Sequence, residues 1–342
     1  MRVKYPLQSC VWELTLACCF SCRYCGSSGG RARKGELTTA ECFSVAEQLA
    51  DLGCKRVSLI GGEVFMRSDW AEIAGKMIRC GMRVAIITNG FLFTSSLVSR
   101  LKELGVESIA VSLDGPEEIH DKYRQKGSFR RGEMAIDILA KEQIPVSVIT
   151  TLHSKNSLYL PDFYEFLKSK PVFAWQIQAC SPMGNAAKAG VNYRFDFKKV
   201  IEFVEKHMYD APFYMGIADN IGYYTKAEGS LRGNTGGNAP FLGCKAGLTT
   251  LGIDSIGNVR GCESMYADTF IEGNLREKSL REIWEDPNTF AYNRVFRTEF
   301  LTGKCKGCNN GALCAGGCRS YNYFTHNHLY ESLYCAGREE RF

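Results

Sequence analysis

Six times between residues 11 and 178 a short apolar run gives way, through polar or glycine residues, to a stretch with helical spacing. The runs are 11–16, 56–60, 84–88, 108–113, 146–152 and 173–178. Such alternation leaves few folds open, because short strands that each return through a helix line up as a parallel sheet. The first crossover illustrates the reading. Thr38 and Glu41 stand at capping-box spacing, and Cys42, Val45, Ala46, Leu49 and Leu52 recur along one helical face, which should bury against the sheet. The strands are apolar almost throughout, as they are where helices cover a closed or nearly closed barrel. Six units predict a partial (β/α)6 barrel in an α/β chain.

Past residue 178 the pattern weakens. Pro182, Gly184 and Gly190 mark a loop, 197–208 is amphipathic, and the four glycines between 228 and 238, with Ser230, Asn234 and Thr235, read as a flexible connection. At 342 residues the chain has room for a barrel and a smaller unit. We expect a barrel over 1–195, a helical bridge and linker over 196–238, and a cysteine-rich second domain over 239–342.

Composition narrows the compartment and the chemistry. Hydrophobic residues make up 45% and charged residues 23%, an ordinary globular balance. No apolar run reaches spanning length and the opening MRVKYPLQSC lacks a secretory signal, so the expectation is a cytoplasmic protein with no membrane partner. The net charge of +5 is not gathered into a basic run, and Arg31, Arg33 and Lys34 form only a small cluster, so no nucleic acid is expected. In a reducing compartment, the sixteen cysteines point to metal or catalytic work.

Cys18, Cys22 and Cys25 form C-x3-C-x2-C directly after the first apolar run. Three thiolates on one loop can converge on a metal centre, and three protein ligands leave one iron of a four-iron cubane open to a small molecule. A structural zinc site is usually closed by a fourth ligand. The next three strands end in Gly61-Gly62-Glu63, Thr88-Asn89-Gly90 and Ser112-Leu113-Asp114-Gly115. In this order, loop and strand ends resemble the radical S-adenosylmethionine (SAM) superfamily. The resemblance implies a 4Fe-4S cluster on Cys18, Cys22 and Cys25, with SAM bound beside it. It places Tyr24 near the adenine and Gly61, Gly62 and Glu63 at the methionyl amino group. Thr88, Asn89 and Asp114 become further stations of the pocket, and Ser112 and Arg124 match positions that hold SAM in sulfatase-maturase-like members. A zwitterionic amino acid does need a carboxylate and a cationic or hydroxyl donor beside the metal. Val64 departs from the proline common after Gly-Gly-Glu. Taken singly, these glycines are ordinary turns, Arg124 an ordinary surface cation and Asp114-Gly115 ordinary loop chemistry; their order behind the cysteine loop favours the site. Cys19 lies outside the spacing and reads as a buried neighbour.

The last hundred residues hold Cys244, Cys262, Cys305, Cys308, Cys314, Cys318 and Cys335. The array C-x12-G-x4-C followed by C-x2-C-x5-C-x3-C-x16-C resembles the SPASM motif of radical SAM enzymes, including peptide maturases. The single C-x2-C pair makes zinc the minority reading. The resemblance implies two auxiliary 4Fe-4S clusters, one on Cys305, Cys308, Cys314 and Cys335, the other on Cys244, Cys262 and Cys318. For the latter a fourth ligand is missing: Cys180, a group near Asn238, an external ligand or nothing are the alternatives.

Three residues are candidates for substrate chemistry. Glu263 follows Cys262, where sulfatase maturases have a catalytic carboxylate, and is read as a general base or else as an exposed glutamate in a turn. Cys180, just beyond the sixth strand, is a hydrogen donor or a small buried hydrophobe. Asp219 faces the same cavity or packs between domains. His326 and His328 are read as loop residues. The resemblance implies oxidative or cross-linking modification of a peptide or protein side chain, with dehydrogenation or rearrangement of a small molecule as the alternative. A non-catalytic iron-sulfur carrier or zinc-binding protein is the reading from a different class. With some ten residues before the first strand, a peptide would be presented by a separate small protein or read by the barrel mouth. An electron donor such as flavodoxin or ferredoxin is implied.

Overall fold

The computed structural model describes residues 5–232 and 240–337. Ten strands form one sheet: β1 (Ser9–Glu13), β2 (Arg56–Ile60), β3 (Arg83–Thr88), β4 (Ser108–Ser112), β5 (Val146–Leu152), β6 (Ala174–Ala179), β7 (Tyr214–Ile217), β8 (Thr250–Ile253), β9 (Asn258–Arg260) and β10 (Gly273–Asn274). Their order is β10-β9-β8-β1-β2-β3-β4-β5-β6-β7. The six expected units are present, each parallel to the next. The sheet stays open between β7 and β10, so it is a partial barrel.

Helices cover its outer face because the outward side chains are large and apolar. Val57, Leu59, Ile86, Ile109, Val111, Val148 and Trp175 are all fully buried there. Thr38 caps the helix Thr39–Asp51 through the expected box with Glu41, and Cys42, Val45, Ala46 and Leu49 are its buried stripe. Many inward positions are small or polar instead. Ser58, Ala85, Ala110, Ser147 and Gln176, with Ile87 and Ile149 beside them, line a cavity of about 280 Å³ in the lumen, where closed eight-stranded barrels are filled by packed layers.

Two features differ from expectation. The strand–helix repetition does not end at β6: β7 continues the sheet, pairing Ala174 with Tyr214 and Ile177 with Ile217. Residues 228–232 of the glycine-rich connection are a helix, Glu228–Arg232, while Asn238 lies outside the described residues. The cysteine-rich half also shares the barrel's sheet, because β8 pairs in parallel with β1 from Ser9↔Thr250 to Trp12↔Ile253. Gly252 permits this. A Cβ there would meet the backbone of Cys262 and Glu263, so the β8–β9 hairpin and the chain after it can lie flush only over a bare Cα.

Gly252→Ala is therefore expected to destabilise the chain by about 1–3 kcal/mol through overpacking, read as a lower denaturant midpoint. An unchanged midpoint would show that this approach has slack.

Candidate active site

The C-terminal strand ends open on one rim, where the loop leaving β1 is fixed by main-chain contacts. Its base is closed by Gly30 N–H donating to Leu16 O at 3.0 Å and Cys18 N–H to Gly30 O at 2.8 Å. The end of β2 presses against it: Gly62 N–H donates to Thr15 O and Glu63 N–H to Ala17 O, both at 2.7 Å. A Cβ on Gly61 would stand 2.6 Å from Thr15 O, and one on Gly62 would overlap the carbonyls of Leu16 and Ala17. The two glycines are required by close approach, beyond any turn. The loop after β6 clamps from the other side, with Asn185 N–H on Cys25 O at 2.8 Å and Asn185 Nδ2 on Cys22 O at 3.1 Å. Sequence reasoning missed Asn185; its one signal was Gly184 beside it, whose φ is +56°.

Cys18, Cys22 and Cys25 are thus presented on one braced loop. Backbone N–H groups point at sulfur, Phe20 N on Cys18 Sγ at 3.4 Å and Gly29 N on Cys25 Sγ at 3.3 Å. Burial pushes the Cys22 thiol up to about 11, against the Arg124 charge that lowers it, so a cationic iron core is what would ionise this set. Cys19 is half-buried rather than buried, with Asn89 Nδ2 donating to its Sγ at 3.4 Å.

Behind the loop sits a carboxylate with no cation. Glu63, 1% exposed, accepts from Thr88 Oγ1 at 2.9 Å and from Asn89 N–H at 2.9 Å. Burial outweighs those bonds and raises it to about 7. Such a group suits an ammonium ligand. Ser112 closes β4 on the lumen side of the same rim. Arg124 donates to Asp114, as does the Tyr24 hydroxyl, and Thr151 N–H donates to the other Asp114 oxygen at 2.8 Å. Burial alone would raise Asp114, but the Arg124 charge holds it below the usual carboxylate range. Asp114 therefore braces Tyr24 and Arg124 from within, a positioning task rather than direct contact. His153 packs against Tyr123 in a tilted arrangement with ring centres 4.0 Å apart and flanks Tyr24 at 5.8 Å; the sequence reading did not single it out.

The seven later cysteines fall into two groups. Cys262 feels the charge of Cys244, and Cys318 that of both; Cys314 feels Cys335 and Cys305, and Tyr224 feels Cys314 and Cys308. These proximities run along the groupings that the resemblance implies. Burial pushes Cys262 and Cys314 up to about 12, and their neighbours add to it. Packed, buried thiols of this kind suit a polycationic core. Among the described residues no three His, Cys, Asp or Glu side chains converge as one metal ion would require, and none of the sixteen cysteines is in a disulfide. Tyr223 lies between the groups, its hydroxyl accepting from Cys318 N–H at 3.0 Å and its φ at +89°.

Comparison with known proteins decides the family. Residues 12–167 match the radical SAM superfamily and residues 244–309 the SPASM iron-sulfur cluster-binding domain. An AdoMet-dependent heme synthase of Methanosarcina barkeri is 31% identical over 96% of this chain and 95% of its own length. The chain belongs to the radical SAM superfamily. It carries a C-terminal SPASM domain, and members of the family use a 4Fe-4S cluster and SAM. Mycofactocin maturase MftC of Mycobacterium tuberculosis is 26% identical over 92% of this chain and 78% of that protein. The fold is like that of Streptococcus suis SuiB bound to S-adenosylmethionine, with a TM-score of 0.78 at 17% identity over 97% of this chain and 78% of that one.

In this radical SAM chain Glu263 is 5% exposed, which corrects the reading of an exposed turn residue. Both its oxygens lack a hydrogen-bond partner. Burial, then the Glu13 carboxylate, push it well above the usual range. Glu13 is bound by Arg33 and by Tyr266 Oη at 3.2 Å, and burial raises it too, against the Arg33 charge. Cys180 is 1% exposed and packs with Tyr24 and Ala186. Asp219 has a side chain 57% exposed and 3.7 Å from Arg232, within electrostatic reach of Cys318. His326 and His328 lie stacked where the helix Arg319–His326 ends. No helix among the described residues is long and apolar enough to cross a membrane.

The raised Glu63 has two consequences of opposite sign. Its folded value of about 7 exceeds the ordinary 4.5, so the ligand-free fold loses stability as pH rises from 4.5 through 7. Affinity for SAM should rise over the upper part of that window, as the carboxylate ionises to meet the ammonium. Between pH 7.5 and 6 we expect SAM binding by the cluster-loaded protein to weaken by roughly tenfold, and Glu63→Gln to bind weakly with a flat profile. A wild-type profile equally flat would remove Glu63 from the amino-group role.

Proposed function

We propose that this radical SAM enzyme oxidises a small carboxylate-bearing substrate of the tetrapyrrole class, the class named in the heme synthases to which it is similar. The observation that carries this reading is the reach of that likeness, 31% identity through 96% of this chain and 95% of the relative, so that barrel and cysteine-rich half are matched together. A peptide substrate is the second reading, favoured by the 26% identity to mycofactocin maturase.

Cys18, Cys22 and Cys25 would hold the SAM-binding 4Fe-4S cluster, Cys305, Cys308, Cys314 and Cys335 one auxiliary cluster, and Cys244, Cys262 and Cys318 the other. When bound, these groups supply the electron that splits SAM into methionine and a 5'-deoxyadenosyl radical, and a place for the electron later left on the substrate. Glu63, oriented by Thr88 and Asn89 and set at the rim by the close approach of Gly61 and Gly62 to the chain leaving β1, would receive the SAM ammonium. Ser112 and the braced Arg124 face its carboxylate, and Tyr24 flanks the adenine.

For a propionate arm the balance is simple. One hydrogen atom leaves the carbon nearest the ring for 5'-deoxyadenosine, carbon dioxide leaves the terminus, and one electron remains, so CH2–CH2–COO⁻ becomes CH=CH2. Glu263, buried with both carboxyl oxygens unpartnered, donates a hydrogen bond to the substrate carboxylate when it is protonated, where an ionised residue would repel it. Asp219 meets the substrate on the auxiliary side. The oxidative balance uses no hydrogen donor, and we assign Cys180 to packing beside Tyr24; burial keeps its thiol neutral, pushed up to about 12.

The test is anaerobic turnover of the reconstituted enzyme with dithionite, SAM and iron coproporphyrin III, which has propionates where heme has two vinyls. Each vinyl formed should be matched by one 5'-deoxyadenosine and a loss of 46 Da, about the mass of carbon dioxide plus two hydrogens. 5'-Deoxyadenosine without porphyrin change, alongside a mass change in a short peptide encoded nearby, would transfer the assignment to the peptide reading. Glu263→Gln keeps a donor and should turn over within a few-fold of wild type, while Glu263→Leu should lose on the order of a hundredfold at unchanged iron content. A hundredfold loss in the glutamine variant would make Glu263 the general base instead.

A further inference from the structure

Arg319 follows Cys318 and is fully buried, yet its hydrogen bonds go only to carbonyl oxygens: Nε to Tyr292 at 3.3 Å, Nη1 to Leu329 at 2.9 Å and to Ala315. Its Nη2 has no partner. The guanidinium is packed flat between rings, its carbon 4.5 Å from the centre of Tyr330 and 5.5 Å from that of Phe296. A buried guanidinium without a carboxylate is among the most expensive arrangements a fold can hold, and rings with three carbonyls do not neutralise it.

Its surroundings name the missing anion. The thiols whose charge reaches it are Cys244, Cys318 and Cys314, drawn from both SPASM groups. The tethers say the same: Ala315 follows Cys314, and Tyr292 lies under the field of Cys244 and Cys262. Arg319 is strung between the two groups rather than attached to one. A fixed positive charge so placed favours the more negative, reduced state of any centre on either side.

We propose that Arg319 is the shared counter-charge of the two auxiliary sites, raising the reduction potential of both together and so making them electron acceptors. This rests on the reading that both cysteine groups hold iron-sulfur clusters. It goes beyond ligation, because it makes one non-ligand side chain set the potential of two centres.

The experiment is a redox titration of the reconstituted holoenzyme followed by electron paramagnetic resonance, in wild type, Arg319→Lys and Arg319→Gln. In the glutamine variant both auxiliary signals should move to lower potential, each reduction equilibrium by about tenfold, or about 59 mV for a one-electron couple. The SAM-binding signal should stay in place, and Arg319→Lys should titrate close to wild type. Should the glutamine variant lose its iron, Tyr330→Glu decides, because it sets a carboxylate beside an intact guanidinium and should lower both auxiliary potentials likewise. Unmoved auxiliary potentials in an assembled variant, movement of only one, or iron loss in both Arg319→Gln and Arg319→Lys would each overturn the proposal. Failure of the underlying reading looks different: wild type would hold one cluster's worth of iron and sulfide and show no auxiliary signal.

Discussion

The site depends on a backbone contact in which no functional side chain takes part. The end of β2 lies so close to the chain leaving β1 that Gly61 and Gly62 have only the carbonyls of Thr15, Leu16 and Ala17 where a Cβ would be. Two amide hydrogen bonds of 2.7 Å continue the ladder past the end of the strands. The cysteine loop therefore begins from a fixed point, and Glu63 turns inward within one residue of it. Widening this seam by the radius of a methyl group would move the three thiols and the carboxylate together, and a centre held by three ligands has no fourth with which to correct them.

Three buried charges lack their complement, and each marks a place where something else must bind. Glu63 has hydrogen bonds but no cation, Glu263 has neither, and Arg319 has no anion. Burial of such groups opposes folding by about 1–3 kcal/mol or more apiece. A fold retains them where a ligand returns that free energy. Their signs differ with their surroundings: Glu63 lies beside the first cysteine loop, Glu263 follows Cys262, and the guanidinium lies within reach of Cys244, Cys314 and Cys318.

Much of this was legible in the sequence and some could not have been. The capping box at Thr38 and Glu41 and the six strand–helix units depend on local spacing, and both are present. β7 and β8 were missed because Tyr-Met-Gly-Ile and Thr-Leu-Gly-Ile are four residues long with a glycine at the third, too short and too interrupted for alternation to register. The burial of Glu263 was invisible for a related reason: it follows from β8 lying against β1, a contact between residues some 240 apart, and from Gly252 letting the chain pass flush. The Asn185 clamp is of the same kind.

The pairing of β8 with β1 also changes what the second half of the chain is. An appended domain would leave β1 as an edge, with its backbone groups open to foreign strands. Here β8 takes that edge, and with it come Ser255 and Tyr266, whose hydroxyls meet Arg33 and through it Glu13. Glu13 ends the strand from which the first cysteine loop departs, and Glu263 is adjacent to Cys262. The loop of Cys18, Cys22 and Cys25 leaves β1 and Cys262 follows β9, so both are tied to one sheet, and their relative placement is fixed by strand pairing and not by a linker.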